Sequence, residues 1–173
     1  GIGRLTRDLI GALAQLDQTT DYRLFVSGAQ IDNLPLVPGE NFTWKTTRLS
    51  PKWLARIWHR AHVPLPIELF TGKLDLYHAT DFVLPPHQSS TRTIVTIHDL
   101  SFVHVPEAAS PRLKTYLDLV VPESVHRANH VIADSQATKD DLIALYDVQP
   151  QKVTVLLSGI DERFTHDKSN EII

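Results

Sequence analysis

A histidine and an aspartate stand side by side at the end of an apolar run. His98 and Asp99 directly follow residues 93–97, Thr-Ile-Val-Thr-Ile, which have the pattern of a buried strand. An imidazole can hydrogen-bond a hydroxyl group or shuttle a proton, and a carboxylate can orient the imidazole or bind hydroxyl groups itself. We therefore predict catalytic roles for His98 and Asp99. The alternative is a histidine that caps the strand end and bonds the backbone.

A second acidic residue ends the preceding strand candidate. Asp81 closes the segment His-Ala-Thr-Asp at residues 78–81 and is followed by Phe82. We expect Asp81 to face the same crevice as Asp99, with Phe82 in an apolar wall beside it. Two such carboxylates could form an acid and base pair of the kind used in glycoside hydrolysis. The alternative for Asp81 is a turn residue.

Two glycines precede the first helical pattern. Gly1 and Gly3 allow a positive φ and the close approach of a ligand, and the N–H groups of a helix start can hold phosphate. Arg4 could add a positive charge for an anion, or face water. No third glycine of the dinucleotide fingerprint occurs before Gly11, so the alternative is a simple tight turn.

Ser135 opens a helical pattern directly after the strand-like run that ends at Asp134. Its hydroxyl is expected to cap the helix N-terminus, where Asp140 and Asp141 complement the helix dipole. Capping is compatible with a ligand contact from the same helix start.

Two pairs of histidines have a spacing found in metal sites. His59 and His62 are three residues apart and His126 and His130 are four apart, but neither pair has a visible third ligand. Arg127 stands where the helix of a zinc protease carries its glutamate. We expect no metal site.

Composition excludes several classes of function. The 173 residues include 17 Lys and Arg against 20 Asp and Glu, a formal charge of −3, and no Cys. This charge gives no long-range attraction to nucleic acid. Without cysteine there is no disulfide framework, thiolate zinc site or cysteine nucleophile. No apolar stretch has the roughly 18 residues of a membrane span.

Short apolar runs alternate with longer helical patterns. We expect strands at residues 22–27, 42–47, 74–78, 92–98, 130–134 and 153–157, and helices at residues 4–16, 51–61, 111–128 and 135–146. The alternation predicts an α/β fold with a Rossmann-like, doubly wound, mostly parallel sheet and helices on both faces. In such sheets ligands bind at the carboxyl ends of the strands, where the polar residues above fall.

The chain opens on a strand-to-helix turn whose strand is missing. We expect the natural protein to have a strand before Gly1, in the middle of the sheet and beside the strand at residues 74–78. The chain, which lacks an initiator Met, thus resembles a piece of a longer protein.

The helix at residues 51–61 has two different sides. Its apolar stripe consists of Leu54, Ile57, Trp58 and Ala61, and its charged side of Lys52, Arg56, His59 and Arg60. We favour a stripe packed on the sheet with solvated charges. The alternative is peripheral contact with an anionic membrane.

Together these segments resemble the family 4 glycosyltransferases, which are retaining enzymes of GT-B fold. The resembling segments, in the family's order and spacing, are residues 1–9, 78–81, 96–100, 131–138, 152–155 and 159–164. By this resemblance residues 1–164 are the N-terminal, acceptor-side domain, one half of a GT-B fold without its first strand. Residues 165–173 are then an exit linker towards a C-terminal domain that binds the donor.

The resemblance implies a hexosyltransferase that moves a sugar from a nucleotide-sugar donor to a saccharide or lipid-linked acceptor. The glycine segment approaches the donor diphosphate through Gly1 and Gly3, which Arg4 would join, and His98 lies by the transferred sugar with Asp99 supporting it. Asp81, Phe82 and Ser135 then line the acceptor and sugar side of the cleft.

In this family the departing phosphate assists deprotonation of the acceptor, so no protein nucleophile is required. Neither a metal nor another cofactor is implied. Because the second domain is missing, we expect no transferase turnover from this chain alone. We expect a cytoplasmic protein that does not bind nucleic acid, with contact at the inner membrane face through residues 51–61 as an option.

Two other classes compete with this interpretation. A non-catalytic Rossmann-like module that binds a ligand or partner would keep the fold without the chemistry. A nicotinamide-dependent oxidoreductase needs a complete glycine fingerprint and an acidic residue after the second strand. Asp32 is available for the latter, but the fingerprint is not.

Overall fold

Serine hydroxyls start three of the helices. Six α-helices lie within residues 1–159, the part of the chain that the computed structural model describes: α1 (Ile2–Leu16), α2 (Pro51–Ala55), α3 (Glu68–Thr71), α4 (Ser101–His104), α5 (Pro111–Arg127) and α6 (Gln136–Tyr146). Ser50, Ser110 and Ser135 cap α2, α5 and α6, and each accepts a hydrogen bond from the backbone N–H three residues further on.

The strands form two parallel sheets. Their bounds are β1 (Tyr22–Ser27), β2 (Phe42–Thr47), β3 (Leu76–Ala79), β4 (Arg92–Ile97), β5 (His130–Ala133) and β6 (Val153–Val155). One sheet pairs β1 with β2, and the other has the order β3-β4-β5-β6. Every strand pairing in the described part is parallel, which confirms the predicted α/β class.

Helices cover both faces of the larger sheet. On β5, Val131 and Ala133 are fully buried in a core shared with Val121 of α5 and Leu142 of α6. Ile132 points to the opposite face, where it lines a cavity together with residues of α1. Alternate residues of a strand face opposite sides of a sheet, so helices on both sides give the doubly wound arrangement that the sequence predicts.

The two sheets are separated by a groove between β1 and β3. Neither strand has a ladder partner on this side within residues 1–159. A cavity of about 440 Å³ lies there, lined by residues of both strands and by α1.

Helix α1 begins earlier than predicted. The sequence suggests a glycine turn followed by a helix from Arg4, but the helix starts at Ile2 with Gly1 as its N-cap. Gly3 lies in the first turn, and the glycines with positive φ in the described residues are Gly28 and Gly72. Gly1 and Gly3 are therefore part of a helix start and not of a left-handed turn.

The helix predicted at residues 51–61 changes type halfway. After α2 the chain continues as a π-helical turn, Arg56–Arg60, and the Ala61 N–H donates to the Arg56 carbonyl five residues back. The wider turn rotates the later residues relative to an α-helix. As a result His59, expected on the charged side, is only 5% exposed, and Ala61, expected in the apolar stripe, is exposed.

A candidate site at the carboxyl ends of the strands

A cavity of about 490 Å³ opens where the strands of the larger sheet end. Three elements and the segment after β6 supply its walls, and their lining residues include Gly1, Arg4, Asp8, His98, Asp99, Asp134, Ser158 and Gly159. The parallel strands bring their carboxyl ends to one edge, and the N-terminus of α1 faces the same space. This is the position at which doubly wound sheets bind ligands.

His98 is the most constrained of the predicted site residues. Its Nδ1 lies 2.7 Å from Oδ2 of Asp134, and its Nε2 lies 3.0 Å from the carbonyl oxygen of Thr80. Its own carbonyl oxygen accepts a hydrogen bond of 3.1 Å from the hydroxyl of Thr138. With a side chain that is 9% exposed, His98 is fixed at three atoms between two neighbouring strands and α6.

The carboxylate beside His98 is that of Asp134 and not that of Asp99. Asp99 Oδ1 accepts a 2.8 Å hydrogen bond from the N–H of Ser101, at the start of α4. Strand register explains the difference, because Ile97 of β4 is aligned with Ala133 of β5, so the residues that follow them are neighbours. Asp99 lines the cavity, but the support predicted for it belongs to Asp134.

Phe82 packs on the histidine from the loop after β3. The rings of Phe82 and His98 meet edge to face with centroids 5.6 Å apart, and Phe82 meets Phe102 in the same way at 6.5 Å. Phe82 has a φ of 46°, in the left-handed region that bulky residues rarely adopt. The predicted apolar wall is thus present, and it lies directly against His98.

Asp81 lies within electrostatic range of two other side chains near the site. Loss of hydration raises the pKa of the Asp81 carboxyl, and the nearby His98 opposes the rise. Burial, and after it the charge of Asp81, raises the pKa of the Tyr116 phenol on α5. Asp81 is not one of the residues that line the cavity beside Asp99, so in the described part of the chain the two carboxylates do not share one cavity.

The N-terminus of α1 contributes the positive end of a helix dipole to the cavity. Gly1 and Arg4 line it, whereas Gly3 does not. The guanidinium of Arg4 lies 3.5 Å from the carboxylate of Asp8, one turn further along α1. A Cβ atom added at Gly1 or Gly3 would meet nothing within 4 Å, so the protein itself leaves space at this helix start.

Ser135 acts on His98 indirectly. Its hydroxyl accepts a 3.1 Å hydrogen bond from the Thr138 N–H and lies 3.0 Å from the Thr138 hydroxyl. Because the hydroxyl proton of Thr138 goes to the His98 carbonyl, the Ser135 hydroxyl is the donor between the two side chains. The predicted cap is confirmed, and Ser135 is not among the residues that line the cavity.

Asp134 and Asp8 are site residues that the sequence did not single out. Asp134 follows β5 as His98 follows β4, so the rule that places polar residues at strand ends applies to both. Strand order, which the sequence leaves open, decides that they meet. Asp8 had no signal of its own, because it occupies an ordinary exposed position of an amphipathic helix.

Nowhere in residues 1–159 do three or more His, Cys, Asp or Glu side chains cluster as a metal ion would require. Across the same residues the helices are also too short or too polar to cross a membrane.

Comparison with known proteins finds one family and two relatives that this chain resembles. A sequence profile described as Glycosyltransferase Family 4 matches residues 1–164. The O-antigen chain mannosyltransferase RfbU of Salmonella typhimurium (strain LT2) is 26% identical over 132 residues, which are 75% of this chain and 35% of that protein. The O-antigen chain mannosyltransferase B of Escherichia coli is 25% identical over 166 residues, 88% of this chain and 42% of that protein. The chain therefore spans less than half the length of these relatives.

Proposed function

Because this chain belongs to Glycosyltransferase Family 4, we propose that it is the acceptor-side domain of a retaining hexosyltransferase. In this proposal residues 1–164 form the N-terminal half of a GT-B enzyme, and residues 165–173 lead to a domain that holds a nucleotide-sugar donor. The acceptor is a saccharide or a lipid-linked saccharide. The observation that carries the proposal is the cavity in which the start of α1 faces His98 across the strand ends.

The donor diphosphate binds at the start of α1. The first backbone N–H groups of a helix lack the partner four residues back, and the dipole there favours negative charge. The space above Gly1 and Gly3 allows a phosphate to approach this backbone, and Arg4 stands in the same wall. This arrangement offers positive charge to the phosphates, and we propose that the transfer requires no metal cofactor.

The reaction proceeds on one face of the sugar. The bond from the anomeric carbon to the donor phosphate breaks as the acceptor oxygen attacks that carbon, and the departing phosphate takes the acceptor proton. No protein nucleophile is needed, so catalysis rests on positioning and on stabilising the charge of the leaving phosphate. His98, held at the cavity wall by Asp134 and Thr80, is positioned to support both.

The relatives suggest the first donor to test. Both are named as mannosyltransferases, so we propose an activated hexose, with mannose as the leading candidate. We further propose a cytoplasmic location with peripheral membrane contact near residues 51–60. Trp53 is 56% exposed there, with the Arg56 guanidinium 4.9 Å from its ring centroid, a combination suited to an anionic lipid surface.

The proposal is tested by screening donors on the full-length protein that contains this chain. A panel of nucleotide-activated hexoses, including mannose, is incubated with saccharide and lipid-linked acceptors, and product is followed by mass spectrometry. We expect transfer from one donor, a loss of kcat/KM of about 100-fold in His98→Ala, and no turnover from the 173-residue chain alone.

His104→Ala is the matched control. His104 is 51% exposed at its side chain, pairs with Asp141 at 2.8 Å and lies outside the cavity, so this variant should retain wild-type turnover. Donor or acceptor binding without any transfer by the full-length protein would instead support a non-catalytic module. Unchanged turnover in His98→Ala would remove His98 from the catalytic site.

A further inference from the structure

Each ring nitrogen of His98 faces an oxygen atom that accepts hydrogen bonds. The carbonyl oxygen of Thr80, 3.0 Å from Nε2, has no proton to give, so Nε2 carries one. A neutral imidazole then has a bare nitrogen at Nδ1. An ionised carboxylate 2.7 Å from a bare nitrogen would be two acceptors in contact, which is repulsive. The contact between Nδ1 and Asp134 therefore contains a second proton.

We infer that Asp134 positions His98 by keeping a second proton on its ring. The pair is then an imidazolium hydrogen-bonded to a carboxylate. The pair then has no net charge, and the ring is fixed at both nitrogens. The placement of this proton follows from the contacts alone; its consequence for catalysis rests on the sugar-transfer function proposed above.

Burial strengthens the hydrogen bond between His98 and Asp134. The side chains of His98 and Asp134 are 9% and 24% exposed, so neither group is fully hydrated. Charge-assisted hydrogen bonds in such surroundings are shorter and stronger than neutral ones. The pair also connects β4 with β5 and, through Thr80, with the loop after β3. Removing the carboxylate would free the ring at one of its two contacts.

The groups around the pair are mostly acidic. Asp81 lies near the ring from the loop after β3, and Asp99 follows β4. From α1, Asp8 and the cationic Arg4 both line the cavity. The Phe82 ring covers one side of the imidazole without charge. A negative Asp134 beside a neutral ring would add to this acidity and repel a donor diphosphate. A neutral pair with its positive end on His98 adds no negative charge and does not repel the diphosphate.

This assignment changes what His98 does in the reaction. Since both ring nitrogens are bonded to protein atoms, the ring is not available as a general base unless one of these bonds breaks. Its contribution is a fixed positive charge near the leaving phosphate, which is an electrostatic effect on the transition state.

Two variants separate orientation from charge. Asp134→Asn places an amide beside Nδ1, and the amide N–H can donate to a bare nitrogen, so the ring keeps its orientation but loses the second proton. Asp134→Ala removes both the bond and the charge. Asp141→Asn is the matched control, because Asp141 pairs with His104, away from His98.

The first measurement is ¹⁵N NMR of the histidine rings in the purified 173-residue chain at neutral pH. We expect two protonated ring nitrogens for His98 in the wild type and in Asp141→Asn. We expect one, at Nε2, in Asp134→Asn, and averaged signals from a mobile ring in Asp134→Ala. A wild-type His98 with one protonated nitrogen would overturn the inference, and so would an Asp134→Asn spectrum identical to the wild type.

The second measurement is kcat of the full-length enzyme at neutral pH. We expect kcat to fall about tenfold in Asp134→Asn, which keeps the ring orientation but lacks the second proton, and about 100-fold in Asp134→Ala, where the ring is also misplaced. Equal kcat values for the wild type and Asp134→Asn would contradict the charge role. If the wild type transfers no sugar, the proposed function fails. The NMR result would still show whether the His98 ring carries the second proton.

Discussion

At the scale of single residues, the burial of His59 links stability to pH. Its ring lies edge-on to Trp58 and Tyr116, with centroids 6.4 and 6.0 Å away, and its Nε2 atom has no hydrogen-bond partner in the described part of the protein. Desolvation lowers the pKa of His59. The charge of Glu123 opposes this shift, and the charges of Arg127 and His62 reinforce it. The folded protein therefore favours the neutral ring.

We predict that acid destabilises the protein partly through His59. The pKa of His59 is lower in the folded state than its ordinary value of 6.5, so the unfolded chain binds the proton more readily. The stabilisation is present above pH 6.5 and is lost as pH falls through the folded-state pKa. Melting curves at pH 7 and pH 5 should show a smaller drop in Tm for His59→Phe than for the wild type.

The exposed His126 provides the comparison, because His126→Gln should follow the wild type between the two pH values. Equal drops in Tm for His59→Phe and wild type would contradict the prediction.

The sequence predicted individual residues of the candidate site better than the contacts between them. His98 could be found because a polar pair after a buried run stands out locally. Its bond to Asp134 could not, because that bond depends on β4 lying beside β5 with Ile97 opposite Ala133. His59 was misplaced for a related reason: periodicity assumes an α-helix, and the π-helical turn changes the direction of the side chain.

At the scale of elements, a buried serine ties α5 to the loop that carries Phe82. The Ser124 hydroxyl accepts a 2.9 Å hydrogen bond from the backbone N–H of Leu84, and both residues are almost fully buried. Arg127, one turn later, donates to the carbonyl oxygen of Pro85 at 3.0 Å. The helix thus holds the far end of the loop whose near end contacts His98.

We predict that Ser124→Ala destabilises the protein by about 1–3 kcal/mol, because the buried N–H of Leu84 loses its acceptor. The free energy of unfolding from urea titration is the measurement. Thr115 lies on the exposed side of the same helix. Thr115→Ala should therefore change the free energy of unfolding by no more than about 0.5 kcal/mol. Equal effects of the two substitutions would mean that the Leu84 bond contributes nothing specific.

Elements that depend on local chemistry were predicted closely. The bounds of β1 and β2 match, and Ser135 caps α6 as predicted. The short helices α3 and α4 were not predicted, since four residues are too few to show a period of 3.6.

At the scale of the whole molecule, the two sheets differ in packing. In β4 the residues Val95 and Ile97 are completely buried, whereas all six residues of β1 are only partly buried. A two-stranded sheet is marginally stable without additional packing, while the four-stranded sheet contains the main core.

We predict that the sheets open separately in hydrogen exchange. Amides of β4 and β5 should exchange last, near the global unfolding limit, and those of β1 and β2 at least about tenfold sooner, through local opening. Mass spectrometry of peptic fragments measures both regions in one experiment. Uniform protection across all of these strands would show that the two sheets unfold as one unit.

The fold class could be predicted from the alternation of strand and helix patterns, because parallel strands need helical crossovers. The carboxyl-end location of the site followed from the same rule. The residues that line the cavity could not be predicted in this way, because they depend on how far α1 and the segment after β6 extend over the strand ends.

The groove between β1 and β3 has a consequence for the behaviour of the protein in concentrated solution. Among residues 1–159 the facing edges of β1 and β3 have no ladder partners, and an unpaired strand edge can pair with a strand of another molecule. Such a groove is a template for intermolecular strand exchange. Strand pairing between copies of this chain would therefore form at the edges of the groove.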